Sequence, residues 1–259
     1  MERARNRSIA GLSGSGLRIW GMLFLIIGIV GRSILQKRFL GVGEVSSEQL
    51  LEAMQNSQYT MIFATLALLL QAVETCAVPI FTFLLVKGFQ HTSDIKMYFL
   101  RVAGVAVLSE IPYNLAMEGN LWDTSSRNPV FGMALGLILL YFYNRYKGKS
   151  VQNMLIKVVI TAAAILWASI LEIEFGVCLI IIIAVLWIFR EKNMVQNFAG
   201  AITTALCSAI SPFFLASPMG FLVVHFYNEE RGEGNRLVSY LFYPVILLVV
   251  GLAAQLIVW

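Results

Sequence analysis

The run PIFTFLLVKGFQHTSDIKMYFLRVAGVAVLSEIPYNLA, residues 79–116, decides how the rest of the chain is read. It holds the end of one apolar helix, a short polar turn and a second helix. The second helix carries Arg101 near its start and Glu110 deep in its apolar part. Pro112 lacks a backbone donor, so it frees the Leu108 carbonyl beside that carboxylate. A charge inside a membrane helix is costly and by default marks a functional site; the structural alternative is an ion pair or a capped kink.

Composition outside this run agrees with a membrane setting. Of 259 residues, 58% are hydrophobic and 13% charged, with a mean hydropathy of +0.76. No soluble domain needs so much apolar sequence. The runs are long and lack strict alternation, which argues helices and excludes an outer-membrane barrel. Cys76, Cys178 and Cys207 all lie in apolar runs, so they read as buried thiols rather than a disulfide framework. The net charge of +4 informs topology here and does not suggest nucleic acid as a partner.

The expected architecture is all-α, a polytopic transmembrane bundle of about eight membrane helices plus one interfacial helix. Residues 1–16 form a basic tail, and 17–259 a single transmembrane domain. The first span covers 17–35. Residues 45–57, with Leu50, Leu51 and Met54 at helical spacing, lie on the membrane surface. The run 60–86 is too long for one untilted crossing, so its first half continues the surface helix and the crossing proper covers 72–87. Gln71, Glu74 and Thr75 share one face of it. The third span is 98–117. Asn128-Pro129 opens the fourth as a helix start, and Gly132 and Gly136 within it permit close helix approach. Spans at 154–171 and 175–189 follow, separated by the acidic hairpin 172–174. Residues 197–227, broken by Pro212 and Pro218, form either one irregular crossing or two short ones, and the last span is 237–258.

Lysines and arginines sort by side. Arg3, Arg5, Arg7, Arg18, Lys87, Lys96, Arg101 and the basic residues of 145–157 and 190–192 fall on one side. Arg32, Lys37, Arg38 and Arg127 fall on the other, which places the N-terminus in the cytoplasm.

The chemistry converges on the central run. His91, with Lys87, Asp94 and Lys96 nearby, makes a polar turn able to bind an anionic group such as a phosphate, against the plainer reading of a solvated loop histidine. Glu110, Tyr113 and Asn114 sit on adjoining surface of one helix turn, and a desolvated carboxylate can serve as a general base. Arg101 lies on the opposite face, so it needs a partner on another helix, with Glu74 and Glu174 as candidates. There is no glycine-rich phosphate loop, nucleophile elbow or zinc-protease signature, and two histidines without a carboxylate cluster argue against a metal site.

Several pieces of the chain resemble the TraX family, polytopic bacterial membrane proteins associated with acetylation of conjugative pilin. They are PIFTFLLVKGFQHT (79–92), YFLRV (98–102), SEIPYNLA (109–116), the Asn128 turn, EFG (174–176), YNEERG (227–232) and YLFYP (240–244). The resemblance implies a bacterial cytoplasmic-membrane bundle and acyl transfer from a cytoplasmic donor such as acetyl-CoA or another acyl-CoA, with no bound cofactor. The acceptor would be a protein or a lipid-linked molecule. In that reading Lys87 and Arg101 bind the donor, with His91 beside them, and Glu110 or His91 acts in catalysis. Glu74, Tyr98, Tyr113, Asn114, Asn128, Glu174 and Tyr243 line the cavity.

Family members usually carry an Asp-His pair in the first span, where this chain has Gly28 and Ile29, and a histidine after YP-x, where it has Ile246. Where those histidines are the transfer bases this chain lacks them, and a placed base commonly contributes about 10²–10⁴-fold. A second reading is therefore a catalytically silent membrane partner or binding protein. A third, weaker one is a transporter.

Overall fold

The computed structural model describes residues 11–42, 45–148 and 150–257. It is all-helical: among these residues only isolated bridges occur, such as Leu12 with Tyr227 and Arg127 with Ile173. Arg3, Arg5 and Arg7 of the basic tail lie outside the described residues, as does Lys149.

Polar caps written into the sequence start most helices. Ser13 Oγ accepts from Gly16 N–H and opens α1 (Gly14–Val30), inside the stretch expected to be tail. The helix then widens over Gly31–Phe39, where Leu40 N–H reaches the Leu35 carbonyl. α2 (Ser47–Asn56) opens on a reciprocal cap between Ser46 and Gln49, in the region expected for the interfacial helix. α5 (Ile95–Met117) starts at Asp94, whose carboxylate accepts from Met97 N–H, and runs on through Pro112. At the head of α6 (Val130–Arg145), Asn128 Oδ1 accepts from Val130 N–H at 3.1 Å.

Between α2 and α5 the long run divides into α3 (Gln58–Thr75) and α4 (Ala77–His91), broken at Cys76. Pro79 explains the break, because it has no N–H to give the Thr75 carbonyl. That carbonyl accepts instead from Ser217 Oγ at 2.9 Å. α3 does not continue the surface helix, contrary to the expectation from its length. It packs along α1 and the widened turn, where Gly28 and Gly31 leave room for the side chains of Glu74 and Leu70. Gln36 Nε2 also donates to Gln71 Oε1 at 2.8 Å.

α7 (Val151–Ile170) is peripheral, with Ala168 its one buried residue. α8 (Gly176–Ile188) is apolar on every face, and such a helix belongs inside. It lies between α4, α6, α7 and α9 (Asn193–Leu206). Gly132 and Gly136 let α6 close on Leu179 and Ile183, which is the close approach their spacing permits.

The segment after α8 resolves into two short helices. α9 is followed by tight turns at Cys207–Ala209 and Pro212–Leu215, then by α10 (Met219–His225). Asn193 Nδ2 donates to Glu229 Oε1 at 2.5 Å, so the segment enters and leaves at one end of the bundle. Extended residues then pair with the start of α1, Leu12 N–H to the Phe226 carbonyl at 2.7 Å and Gly14 N–H to the Glu230 carbonyl at 2.8 Å. α11 (Arg236–Leu256) packs along α5, with Gly251 against the Ala116 backbone.

Among the described residues, four stretches are long and apolar enough to cross a membrane: Gly14–Phe39, Gln58–His91, Val151–Ile170 and Leu237–Leu256. The shorter α6 and α8 are apolar but fall below that length. The expected count of about eight crossing helices is not reached by this measure. What stands is a helical membrane-type bundle.

Candidate functional site

The ionisable residues singled out by sequence fall into two separate groups. The first surrounds a cavity of about 600 Å³ between α1, α4, α5, α6 and α11. Of the expected residues, Lys87, His91, Tyr98, Arg101 and Tyr243 line it. α4 walls it from Phe81 to His91, a rise of about 15 Å at 1.5 Å per residue.

Its chemistry changes along its walls. Arg18, Lys87, Arg101 and Arg231 are the cationic lining, against Asp94 and Glu229 as the acidic lining. Met22, Leu25, Phe81, Val105 and Met133 are the apolar lining, with Tyr243 beside them, and along α1 and α5 they follow Arg18 and Arg101 by one or two turns. Arg18 donates to the Gly14 carbonyl and to Ser239 Oγ at 3.2 Å each. Arg231 lies within electrostatic reach of it. Arg101 Nε donates to its own helix at the Met97 carbonyl. Lys87 Nζ donates to Asn193 Oδ1 and lies over the Phe83 ring. Among the described residues none of Arg18, Lys87 or Arg101 is in an ion pair, although Glu229 lies within electrostatic reach of Lys87.

His91 belongs to the same rim. Its Nδ1 lies 2.7 Å from the Lys87 carbonyl. A carbonyl only accepts, so Nδ1 carries the proton and Nε2 of the neutral ring keeps its lone pair. Gly88 is a requirement of this wall, because a Cβ there would stand 2.6 Å from Tyr98 Oη.

The second group lies toward the opposite end. Arg32, on the widened turn after α1, pairs with Glu174 at 2.5 Å and with Glu74 at 3.5 Å. Tyr113 Oη donates to Glu174 Oε2 at 2.9 Å and contacts Ser126 Oγ at 3.1 Å. The acidic hairpin is held by Arg127, whose N–H donates to the Glu172 carbonyl and whose carbonyl accepts from Glu174 N–H. Arg127 Nη1 also donates to Glu110 Oε1 at 2.9 Å. Asn128 donates to Glu110 Oε2 from Nδ2 at 2.6 Å, and its backbone N–H does so at 3.3 Å. Both carboxylate oxygens of Glu110 are thereby engaged by the loop that begins α6. Asn114 Nδ2 donates to the Asp123 carbonyl.

Three expectations change on this geometry. Arg101 does not pair with Glu74 or Glu174; Arg32 takes both. Glu110, Glu74, Tyr113, Asn114, Asn128 and Glu174 do not line the cavity. Arg18, which sequence reasoning left among the topology charges, and Arg231, which it did not single out, do line it. Arg32 was legible as a charge four residues after Gly28 in an apolar stretch, although it was placed with the loop charges.

Tyr243 links the groups, since it lines the cavity and packs on the cluster of Ile29, Tyr113 and Leu247. Ile29 and Ile246, the two positions where the resemblance leads one to expect histidine, meet in this cluster. Gly28, at the expected aspartate, is filled by Glu74, whose side chain occupies the space of a Cβ there.

A family model described as TraX protein matches residues 41–254. α1, with Gly28 and Ile29, precedes the matched region. No curated protein and no solved structure matches.

Proposed function

The chain belongs to the TraX family, and from that premise we propose that the cavity binds an acyl-CoA-type donor for acyl transfer at the membrane. The basic end then faces the cytoplasm of a bacterial cell, and the acceptor is a protein or a lipid-linked molecule. One observation carries this reading: Arg18, Lys87 and Arg101, none of them in an ion pair among the described residues, line one cavity together with the apolar Met22, Leu25, Phe81, Val105 and Met133. Phosphates would bind Arg18, Lys87, Arg101 and Arg231, and the acyl-bearing arm would run inward toward Tyr243. Of the two expected catalytic groups, His91 lines the cavity and has a nitrogen lone pair to accept a proton, so it takes the role of base. Glu110 orients the Arg127–Asn128 turn.

A second reading, binding without turnover, has its own observation. The positions expected to carry histidine hold Ile29 and Ile246 inside an apolar cluster.

Saturation binding of acetyl-CoA to the purified protein in detergent tests the donor site. Wild type is expected to bind, with affinity reduced about 10–100-fold in Arg101→Ala for one lost charge-assisted contact. Glu110→Gln is expected to bind as wild type does. Absence of binding in every form overturns the acyl-donor reading. Binding without transfer to any acceptor, unaltered by His91→Gln, favours the silent reading.

A further inference from the structure

Two charges of opposite sign that line the basic cavity, Lys87 and Glu229, are joined without meeting. The Asn193 amide, on the first residue of α9, stands between them. Its Oδ1 accepts from Lys87 Nζ at 3.2 Å, and its Nδ2 donates to Glu229 Oε1 at 2.5 Å. Only this orientation of the amide serves, because the reverse would set its oxygen against the carboxylate and its N–H against the ammonium. Among the described residues Lys87 and Glu229 make no direct ion pair. Asp94, the other acidic residue of the lining, is engaged elsewhere, accepting from Met97 N–H at 3.0 Å.

The segment that carries Glu229 is fixed from its other side. Its backbone is pinned to the start of α1, with Asn228 N–H donating to the Leu12 carbonyl at 2.9 Å and Ser15 N–H to the Arg231 carbonyl at 3.1 Å. Side chains along it alternate, as they do on an extended chain. Tyr227, Glu229 and Arg231 line the cavity, whereas Asn228 Nδ2 donates to Glu230 Oε2 at 3.2 Å. Gly232 seals the contact, because a Cβ there would stand 2.0 Å from Ser15 Oγ. Glu229 itself is held at a φ of 65°, a left-handed conformation that a residue other than glycine keeps only where its surroundings impose it.

We propose that Glu229 is the internal counter-anion of the cavity: held by Asn193, its carboxylate offsets the charge of Lys87 and keeps the binding of phosphate-bearing ligands weak and readily reversed. The ligand class is that of the donor reading above, on which this proposal rests. Repulsion between Glu229 and an incoming phosphate grows with the charge of the ligand, and the amide sets the distance at which it acts. Lys87 has three donors and gives one to Asn193, so a phosphate meets the lysine with the carboxylate still tethered behind the amide.

The test is calorimetric titration of the full chain in detergent with inorganic pyrophosphate and, separately, with acetyl-CoA, at one fixed ionic strength. Glu229→Gln, which keeps the shape of the side chain, is expected to bind pyrophosphate about 3–10-fold more tightly than wild type. In a Lys87→Met background the same change is expected to lose most of that gain, because the charge it offsets is gone. Asn193→Ala, which cuts the tether and leaves the strap intact, is expected to tighten binding about 2–5-fold, and it decides the matter where Glu229→Gln fails to fold. Unchanged or weaker pyrophosphate binding in Glu229→Gln, or an equal gain with and without Lys87, would overturn the counter-anion. A gain for pyrophosphate with acetyl-CoA bound by no form would support it and overturn the donor reading alone. Equal affinities of wild type and Glu229→Gln for both ligands would overturn the counter-anion alone, and binding of neither ligand by any form would overturn both.

Discussion

The two ends of this bundle hold similar ionisable side chains in opposite conditions. At the Arg32 end, two guanidinium groups meet three carboxylates in short ion pairs: Arg32 with Glu74 and Glu174, and Arg127 with Glu110. At the Arg18 end, Arg18, Arg101 and Lys87 bond to backbone carbonyls or neutral side chains around a cavity. A charge in a membrane helix marks function by default, yet the deepest charge picked out by sequence, Glu110, is the one most fully consumed by its neighbours. The rim charges, which look like ordinary topology signals, make no ion pair among the described residues and bond only to carbonyls and neutral side chains. Depth in the sequence therefore ranks these residues poorly. Partnering ranks them better.

That contrast breaks most visibly at Arg32. Replacing it by Met leaves Glu74 and Glu174 buried without a counter-charge, and loss of one partner from a buried pair costs about 3–5 kcal/mol. Arg32→Met is expected to lower the thermal midpoint in detergent by many degrees, and Arg32→Met combined with Glu74→Gln and Glu174→Gln to recover much of it. Arg101→Ala, by contrast, should unfold like wild type. Equal destabilisation by Arg32→Met and Arg101→Ala would erase the distinction between the two ends.

Next in size is closure of the cavity from its own wall. Gly88→Val puts a Cβ 2.6 Å from Tyr98 Oη, so the ring, which lines the cavity, must shift. Acetyl-CoA affinity is expected to fall about 10-fold or more, equivalent to about 1.4 kcal/mol, with the melting midpoint little changed. Gly88→Val combined with Tyr98→Ala should restore binding. Failure of the double variant to do so would mean that the valine acts on the backbone and not through the ring.

A smaller effect separates Glu110 from the donor site. Arg127 is partly exposed, so solvent screens that pair, and Glu110→Gln is expected to cost about 1 kcal/mol. Unfolding with acetyl-CoA titrated in should show the same ligand-induced rise in midpoint for variant and wild type. A rise seen only in wild type would put Glu110 back into the binding machinery.

What the sequence disclosed follows the range of the forces involved. The helix start at Asn128 was readable because a cap is settled within three residues. The Asn-Pro opening of α6 and the Gly132–Gly136 spacing led to the observed geometry for the same reason. The fate of 60–86 was not readable. Length suggested a surface extension, but α3 is held against α1 by Glu74 filling the space at Gly28, residues 46 positions apart. The 197–227 segment was left open because apolar periodicity is the same for a crossing and for a segment that turns back. Long-range contacts such as Asn193 with Glu229, and Leu12 with Phe226, fix its return. The pairing of Arg32 was missed on similar grounds, since its carboxylates come from α3 and from the hairpin before α8. Lys87, His91 and Arg101 came together as expected because the turn between α4 and α5 keeps them close in sequence as well as in space.

The smallest predicted effect tests whether the loop over the Arg32 end is itself held by charge. Asp123 accepts from the Ser125 hydroxyl and from Ser125 N–H. These bonds favour the carboxylate, so Asp123 titrates below the usual carboxylate range, with Lys37 adding to the shift from farther away. The direction fixes the sign. A lowered folded value means that the contribution is present above the unfolded value and is lost as pH falls through the folded one. Asp123 is partly exposed in the loop, where solvent screens its charge, so the whole-protein midpoint near neutral pH should not move in Asp123→Asn. Amide exchange at Ser125, corrected for its intrinsic pH dependence, is the sensitive observable: protection should fall on acidification in wild type. Asp123→Asn, whose side chain does not titrate, should show no such step. A step of equal size in both proteins would remove Asp123 as its source, and the loop would then not be held by charge at its tip.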